Sequence, residues 1–327
     1  MPKPILIRGL KTLGFGILVL ISCLWFALAL WMQQPLPQWL IIILIGSWSA
    51  LALSTLLFPI PKLRWAYFAI FGIGLLWYLS LQPQQHRNWN PEVAQMLHYQ
   101  RQGDLINLSN VRDFRWQSNG DYQIHWQKRQ INLNHITGVN ILTSYWMGPD
   151  IAHTLVSFDF KDQAPLSFSI EIRKEQHEDF SALGGFFRKY ELSLVAANET
   201  DLVYTRSHVR GEQVYLFPID IPHAMQKQLL LQYLAKADQL AKQPQWYNTL
   251  TSNCTTLVFD MAQLASGHQL PLDYRLLASG YLPNYLYDLG LLDQRWDLAT
   301  WYQQAYIDPK KVSFEHYSEQ IRQFPKP

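Results

Sequence analysis

A chain of 327 residues is long enough for one large domain or two small ones. Its net charge of +2 gives no basic footprint, so nucleic acid is not expected as a partner. The 13 Trp and 17 Tyr point instead to aromatic-rich cores or to a membrane interface, where amphipathic rings settle.

The first 81 residues differ in kind from the rest. Residues 13–32, 39–58 and 65–81 carry no charge, and each run has about the ~20 residues needed to cross a hydrocarbon core. The links "QQPLPQ" and "PIPKLR" leave room only for tight turns. The first run is long, lacks a clear small-residue cleavage site and is followed by two more, which argues against a signal peptide. Three transmembrane helices over 1–82 are predicted, with Trp31, Trp39, Trp65 and Trp77 near their ends. Lys3, Arg8 and Lys11 precede the first span, and Lys62 and Arg64 lie between the second and third. The positive-inside rule then puts the N-terminus in the cytoplasm and everything after the third span on the far side. In a bacterium that means anchorage in the inner membrane, with the rest of the chain in the periplasm or outside the cell.

Residues 83–103 read as a polar, Pro-containing linker. From 104 to 327 the pattern is that of one α+β domain, strands first and helices after. Strand-type runs occur at 106–116, 121–133, 135–146, 151–160, 166–173, 190–198, 202–209 and 214–220. Asn119-Gly120 marks a turn. After Pro222 apolar residues recur at helical spacing over 224–243, and the run stops before Pro244.

The hairpin of 153–160 with 166–173 has a legible register. Pairing Phe160 with Leu166 sets His153 opposite Arg173. One face then carries Thr154, Val156, Phe158, Phe160, Leu166, Phe168, Ile170 and Ile172. The other carries His153, Leu155, Ser157, Asp159, Ser167, Ser169, Glu171 and Arg173. A one-residue slip mixes the two sets. His153 and Glu171 become diagonal neighbours on the polar face.

The stretch "YNTLTSNCTTLVFDMAQLASG" (247–267) places a cysteine where a polar loop becomes an apolar-periodic segment. Leu257, Val258, Met261, Leu264 and Ala265 follow the spacing of a buried helix face. Ser252 or Asn253 is a suitable N-cap and Gly267 a suitable stop. Cys254 then occupies the first turn, where the dipole and free N–H groups favour a thiolate and could hold a developing oxyanion. The only other cysteine, Cys23, is mid-span and cannot reach it. Within the chain Cys254 is unpaired in an oxidising compartment. That leaves a small buried residue, an intermolecular disulfide or a nucleophile. A nucleophile needs a base and the base an orienter. His153 and Glu171 are the candidates, although nine other histidines compete and Glu171 could pair with Arg173 or Lys174 on a solvated face. Asn253, Thr255, Ser157 and Tyr247 are candidates to support the site or its oxyanion. No metal-spaced His/Cys cluster is present, and no metal or cofactor is expected.

The segments "NVRDFRW", "SYWMGPDIAHTLVSFDF", "SIEIRKE", "GGFFRKYELSLV", "VRGEQVYLFPI" and "WYNTLTSNCTT" run in this order over most of the far-side region. Together they resemble the periplasmic domain of the bacterial lipoprotein N-acyltransferase (Lnb) family. The pairing of "AHTLVSF" with "YNTLTSNCTT" is the most specific part. The resemblance implies a circularly permuted papain-like (NlpC/P60-like) thiol fold, in which the histidine precedes the cysteine. It places the nucleophile on Cys254 and the histidine on His153; Glu171 as third residue comes from the hairpin. An acidic pair is often found in the family near "NETDLV", here Glu199 and Asp201. The implied activity is transfer of an acyl group from a membrane phospholipid, through a thioester, to the N-terminal amine of diacylglyceryl-modified lipoproteins. The partners are then the bilayer, its phospholipids and lipoproteins. The three spans are not part of the resemblance. A cysteine hydrolase of the same fold, acting as a cell-wall peptidase or amidase, and a non-enzymatic envelope scaffold are the competing readings.

Overall fold

The computed structural model describes residues 3–324, with side chains from residue 9. The side chains of Lys3 and Arg8, on which part of the orientation argument rests, lie outside the described residues. The chain divides into two compact units. One contains residues 1–83 together with 181–189, and the other contains 84–180 and 190–327.

The first unit is built on α1 (Lys3–Gln33), α2 (Gln38–Leu57) and α3 (Pro61–Ser80). Gly9–Gln33, Gln38–Leu57 and Pro61–Ser80 are each long and apolar enough to cross a membrane. The third helix starts earlier than its uncharged run, because Pro61 suits a first helical turn. Lys62 and Arg64 therefore lie inside that turn rather than in a link. The three helices meet through Val19, Trp48, Ala52 and Tyr67. Trp48 stacks on Tyr67 at 4.3 Å between centroids. Two polar side chains find partners inside the bundle, as hydrocarbon favours: Ser22 Oγ lies 2.8 Å from the Tyr67 hydroxyl, and Trp48 Nε1 donates to the Cys23 carbonyl. Leu20, Ile21, Leu24, Ile42, Ile73 and Leu76 point outward.

The second unit is organised by one eight-stranded sheet. Its strands are β1 (His98–Gln102), β2 (Leu105–Arg112), β5 (Trp126–Asn132), β6 (Ile136–Tyr145), β7 (Ala152–Phe160), β8 (Leu166–Arg173), β9 (Glu191–Ala197) and β10 (Gln213–Ile219). The order is β1-β2-β9-β8-β7-β6-β10, with β5 also paired to β2. Strands β3 (Arg115–Ser118) and β4 (Asp121–Gln123) form a separate hairpin around the Asn119-Gly120 turn. Residues 83–103, expected as a linker, contain a short 3-10 turn at Pro91–Val93 and the strand β1.

Helices cover both faces. Helices α6 (His223–Lys242) and α7 (Cys254–Ser266) pack on Val156, Phe158, Leu166, Phe168 and Ile170. Tyr233 of α6 sits 4.9 Å from Phe168 and 5.9 Å from Phe158 between ring centroids. Each such fully buried side chain contributes roughly 1.5–3 kcal/mol. The opposite face is covered by α5 (Glu199–Tyr204), a π-helical turn at Thr205–Val209 and the C-terminal α10 (Tyr317–Gln320), around Leu142, Leu155, Val195 and Leu202. The described residues also include the short helices α4 (Ala182–Phe186), α8 (Leu282–Asp288) and α9 (Leu298–Ala305), with α4 belonging to the first unit.

Three expectations change. The β7–β8 pairing joins Phe158 to Leu166 and Leu155 to Ser169, two residues away from the predicted register. A shift of two preserves both faces, so the alternation that fixed them could not distinguish the two pairings. The polar face is not solvated: Ser157, Ser167, Ser169 and Arg173 are all buried, Ser157 against Glu199 of α5 and Arg173 against the Val93 and Ala94 carbonyls. Finally, 202–209 is helical rather than a strand. Its apolar and β-branched residues belong to the lid over the second face.

Candidate active site

Strand β7 supplies two adjacent residues that reach α7 from opposite faces. Thr154 Oγ1 lies 2.9 Å from Thr255 Oγ1, and the Thr154 backbone N–H is close enough to the Cys254 sulfur to favour its thiolate. His153, the residue before it, is close enough to the Cys254 thiol for each to shift the other towards its charged form. The first turn of α7 is thereby fixed against the strand that carries the histidine.

The turn itself is closed by a capping box. Asn253 Oδ1 accepts from the N–H groups of Thr255 and Thr256 at 2.8 and 2.9 Å, while Thr256 Oγ1 accepts from Asn253 N–H at 3.0 Å. Asn253 Nδ2 donates to the Thr249 carbonyl at 2.8 Å. Asn253 is thus fully used as a cap and is not a side-chain donor aimed at a ligand. Gly267 ends the helix in the left-handed region at φ 69°. The buried face comprises Cys254, Leu257, Val258, Phe259 and Met261. Leu264, expected on that face, is exposed, and Phe259 is buried in its place, 6.5 Å from the Tyr285 ring.

Behind His153 stands a polar chain. Ser169 donates to Glu171 Oε1 at 2.6 Å, and His153 Nε2 lies 2.7 Å from Ser169 Oγ. The hydroxyl has one hydrogen and gives it to the carboxylate, so its oxygen accepts from His153 Nε2–H. That tautomer leaves Nδ1 for the thiol. Arg206, from the π-helical turn, donates to the same Glu171 oxygen at 2.8 Å and lies 4.0 Å from Glu212, which in turn accepts from Ser144.

The electrostatics follow from these contacts. Burial opposes the charged form of His153. Glu171, and next the thiolate of Cys254, outweigh it and raise the imidazole to about 9. Burial likewise opposes the thiolate, but His153 overrides it and lowers the Cys254 thiol below its ordinary value. Burial works against the Glu171 carboxylate too, and His153 with Arg206 holds it well below its usual range. All three directions favour a thiolate–imidazolium pair backed by a carboxylate.

A clamp sets the start of β7. Ser279 Oγ accepts from Ala152 N–H at 3.0 Å and donates to the Ala152 carbonyl at 2.7 Å. Gly280 N–H donates to the Asp150 carbonyl at 2.9 Å. A Cβ at Gly280 would stand 1.9 Å from the Pro149 carbonyl oxygen, so only glycine fits this approach.

Of the other expected residues, Thr255 lies in the first turn, 3.9 Å from the sulfur through its hydroxyl. Tyr247 is close enough for both Cys254 and Glu171 to push its phenol pKa up, after burial. Ser157 is not brought to this site. It donates to Glu199 at 2.5 Å in a buried cluster with Arg322 and Asp159. Glu199 and Asp201 are likewise elsewhere, since Asp201 holds Arg112 by a two-pronged ion pair and accepts from Phe114 N–H and Trp116 Nε1. Ser169 and Arg206 were not singled out in the sequence. Ser169 shares a face with Glu171 two residues away, which was a usable signal. Arg206 was hidden by reading its segment as a strand. A cavity of about 340 Å³ adjoins the site through Trp146, whose ring lies 6.4 Å from that of His153. Arg210, Glu212 and Gln213 are among its lining residues. Among the described residues no group of three or more His, Cys, Asp or Glu is arranged to hold a metal ion.

Residues 122–280 match the family described as the Lnb N-terminal periplasmic domain. The match supports assigning this stretch to the Lnb family. The match contains Cys254, His153, Glu171 and both clamp residues, and it ends at Gly280. It is narrower than the resemblance read from the motifs, which extended to β2. The match suggests a role in lipoprotein maturation, and with the three apolar helices it suggests a membrane protein with a periplasmic domain. No curated protein and no solved structure matches the chain.

Proposed function

We propose that the protein is a membrane-bound thiol acyltransferase acting on lipoproteins, with Cys254 as nucleophile, His153 as acid and base, and Glu171 as the group that orients and charges the histidine. The observation that carries the reading is the Cys254–His153 contact at the first turn of α7, with His153 held from behind by Ser169 and Glu171. A permuted papain-like descent is consistent with the order of the two residues and is part of the same proposal.

The steps balance as follows. The Cys254 thiolate attacks the ester carbonyl of a membrane phospholipid and forms a C–S bond. The Thr255 and Thr256 N–H groups are occupied by Asn253, so the first-turn donor assigned to the oxyanion is the N–H of Cys254 itself. Collapse breaks the C–O bond, and the His153 imidazolium gives its proton to the leaving glycerol oxygen, releasing a lysophospholipid. The α-amine of the lipoprotein then attacks the thioester, and neutral His153 takes its proton. The C–S bond breaks and the ion pair returns. Water must be kept from the thioester. A domain joined to three spans meets donor and acceptor in one leaflet without a soluble carrier. By the positive-inside argument that leaflet is the outer one of the inner membrane, with the N-terminus cytoplasmic.

Mass spectrometry of the protein purified with labelled phospholipid tests this. A hydroxylamine-labile fatty-acyl adduct on the Cys254 peptide supports the mechanism. Formation of N-acylated lipoprotein with no label would move the donor to another glycerolipid, including the ester on the acceptor itself. The polar lining of the cavity beside Trp146 favours a second reading, a peptide hydrolase of the same site. That reading requires cleavage of a cell-wall peptide and no acyl adduct.

A further inference from the structure

The connection between β8 and β9 contains residues 181–189, which belong to the unit of the three apolar helices. The attachment is specific. Gln33, the last residue of α1, donates through Nε2 to the carbonyls of Phe187 and Arg188 at 2.5 and 2.7 Å. Arg188 Nη1 donates to the carbonyls of Tyr78, Leu79 and Leu81 at 3.0, 3.4 and 3.4 Å, so a guanidinium caps the C-terminal end of α3. It also lies over the Tyr78 ring at 5.0 Å. Phe187 is buried against Ala29 and Tyr78. Arg188 takes a positive φ of 52°, unusual outside glycine, in making this turn.

These anchors all lie at the ends where α1 and α3 finish. If those helices span a bilayer, their ends mark the headgroup layer on the side of the catalytic domain. The short helix α4, capped by Ser181, sits at that level. Its two large apolar side chains, Leu183 and Phe186, are 42% and 41% exposed. The exposed apolar surface continues on Trp31 and Leu79 of the helices themselves. An apolar tip beside an arginine that reaches backbone carbonyls is the composition of an interfacial element, with side chains in the acyl boundary and the cation among headgroups.

We propose that residues 181–189 form an in-plane membrane-contact element whose Leu183 and Phe186 side chains insert into the lipid of the outer leaflet. The chain then enters the membrane interface a second time, between the strand that carries Glu171 and β9. The inference depends on the three spans and not on the acyl-transfer chemistry, so the two can fail separately.

Site-directed spin labelling of the full chain in phosphatidylethanolamine–phosphatidylglycerol nanodiscs tests it. In a Cys23→Ala, Cys254→Ala background, labels are placed at Leu183→Cys, at Phe186→Cys and, as a water-phase control, at Asp162→Cys. Asp162 is 53% exposed in the β7–β8 turn, at the other end of β8 from Arg173, which bonds Gln85. The expected result is a ratio of oxygen collisions to nickel-chelate collisions several-fold higher at 183 and 186 than at 162. A ratio at both sites equal to the control overturns the proposal. So does shielding of both sites from both reagents, which would mean that protein rather than lipid covers them.

Discussion

His153 Nε2 lies 3.3 Å from Glu171 Oε1, and the Ser169 hydroxyl bridges the same two atoms at 2.7 and 2.6 Å. The histidine therefore has both a charge partner and a neutral acceptor on one nitrogen. Ser169→Ala removes the acceptor and keeps the charge. A neutral hydrogen bond is worth about 0.5–1.5 kcal/mol, so kcat/KM for acyl transfer should fall roughly twofold to tenfold. Glu171→Gln keeps a hydrogen-bond acceptor and removes the charge, and should cost more than Ser169→Ala but less than His153→Ala. An activity order with Ser169→Ala worst would contradict the orienting role given to Glu171.

The thiol should titrate as a dependent of its histidine. With His153 present, alkylation of Cys254 by iodoacetamide should remain fast below the ordinary thiol range. In His153→Ala the burial remains and the cation is gone, so the alkylation profile should move to higher pH. The peptide is quantified by mass spectrometry across pH, and an unchanged profile would separate the two residues.

Stability should depend on pH through the same groups. His153 is raised from 6.5 to about 9, so its contribution is complete below 6.5 and lost as pH rises through about 9. Glu171 is depressed below 4.5, so its contribution is present above that value and lost on acidification. The Tm difference between wild type and His153→Ala should therefore be largest between these limits and shrink towards pH 10.

Much of this was legible in the sequence because apolar periodicity is a local signal. Three uncharged runs gave three helices, and the spacing after Cys254 gave α7 with its Gly267 stop, the cap being left between Ser252 and Asn253. The hairpin faces were right while the register was off by two, since a period-2 pattern is blind to such a shift. What was hidden depended on a second layer. Ser157 of β7 and Ser169 of β8 look alike on one face of the hairpin, yet one joins Glu199 and Arg322 and the other joins His153. Only the elements packed on that face decide between them. Arg206 was hidden for the same reason, because its segment is apolar and β-branched, and folds as a helix only because it covers the sheet.

Glu199 and Asp201 should behave as structural groups. Asp201 is fully buried and pairs with buried Arg112. Asp201→Ala strands a guanidinium in the interior, which costs about 3–5 kcal/mol. Urea unfolding of the detergent-solubilised protein should show this loss. Folded Asp201→Ala molecules should retain the wild-type rate of Cys254 alkylation, and a selective loss of that rate would place Asp201 in the site after all.

Gly280→Ala should damage function through position. The new Cβ meets backbone atoms of Pro149 and Asp150, which cannot rotate away, so the segment leading into Ala152 and His153 must move. A displacement near 1 Å can cost on the order of a hundredfold in rate. Ser279→Ala removes one clamp without a clash and should cost less. A fully active, stable Gly280→Ala protein would show that the clamp does not set His153.

Cys254→Ala decides between a nucleophile and a small buried side chain. Cys254 is 9% exposed and packs with the α6–α7 core, so both readings predict a modest stability loss, about 1 kcal/mol. They diverge on activity. As nucleophile, Cys254 is indispensable, and acyl transfer should fall to background with protein level unchanged on a blot. His153→Ala should be nearly as low, and the double variant no lower than Cys254→Ala, because the two act as a unit and their losses do not add. Cys23→Ala, on a spanning helix, should leave activity unchanged. The assay is recovery of N-acylated lipoprotein in a strain that depends on this protein. Full activity of a stably expressed Cys254→Ala variant would remove the thioester mechanism, leaving the fold and the match of residues 122–280 to the Lnb family as they stand.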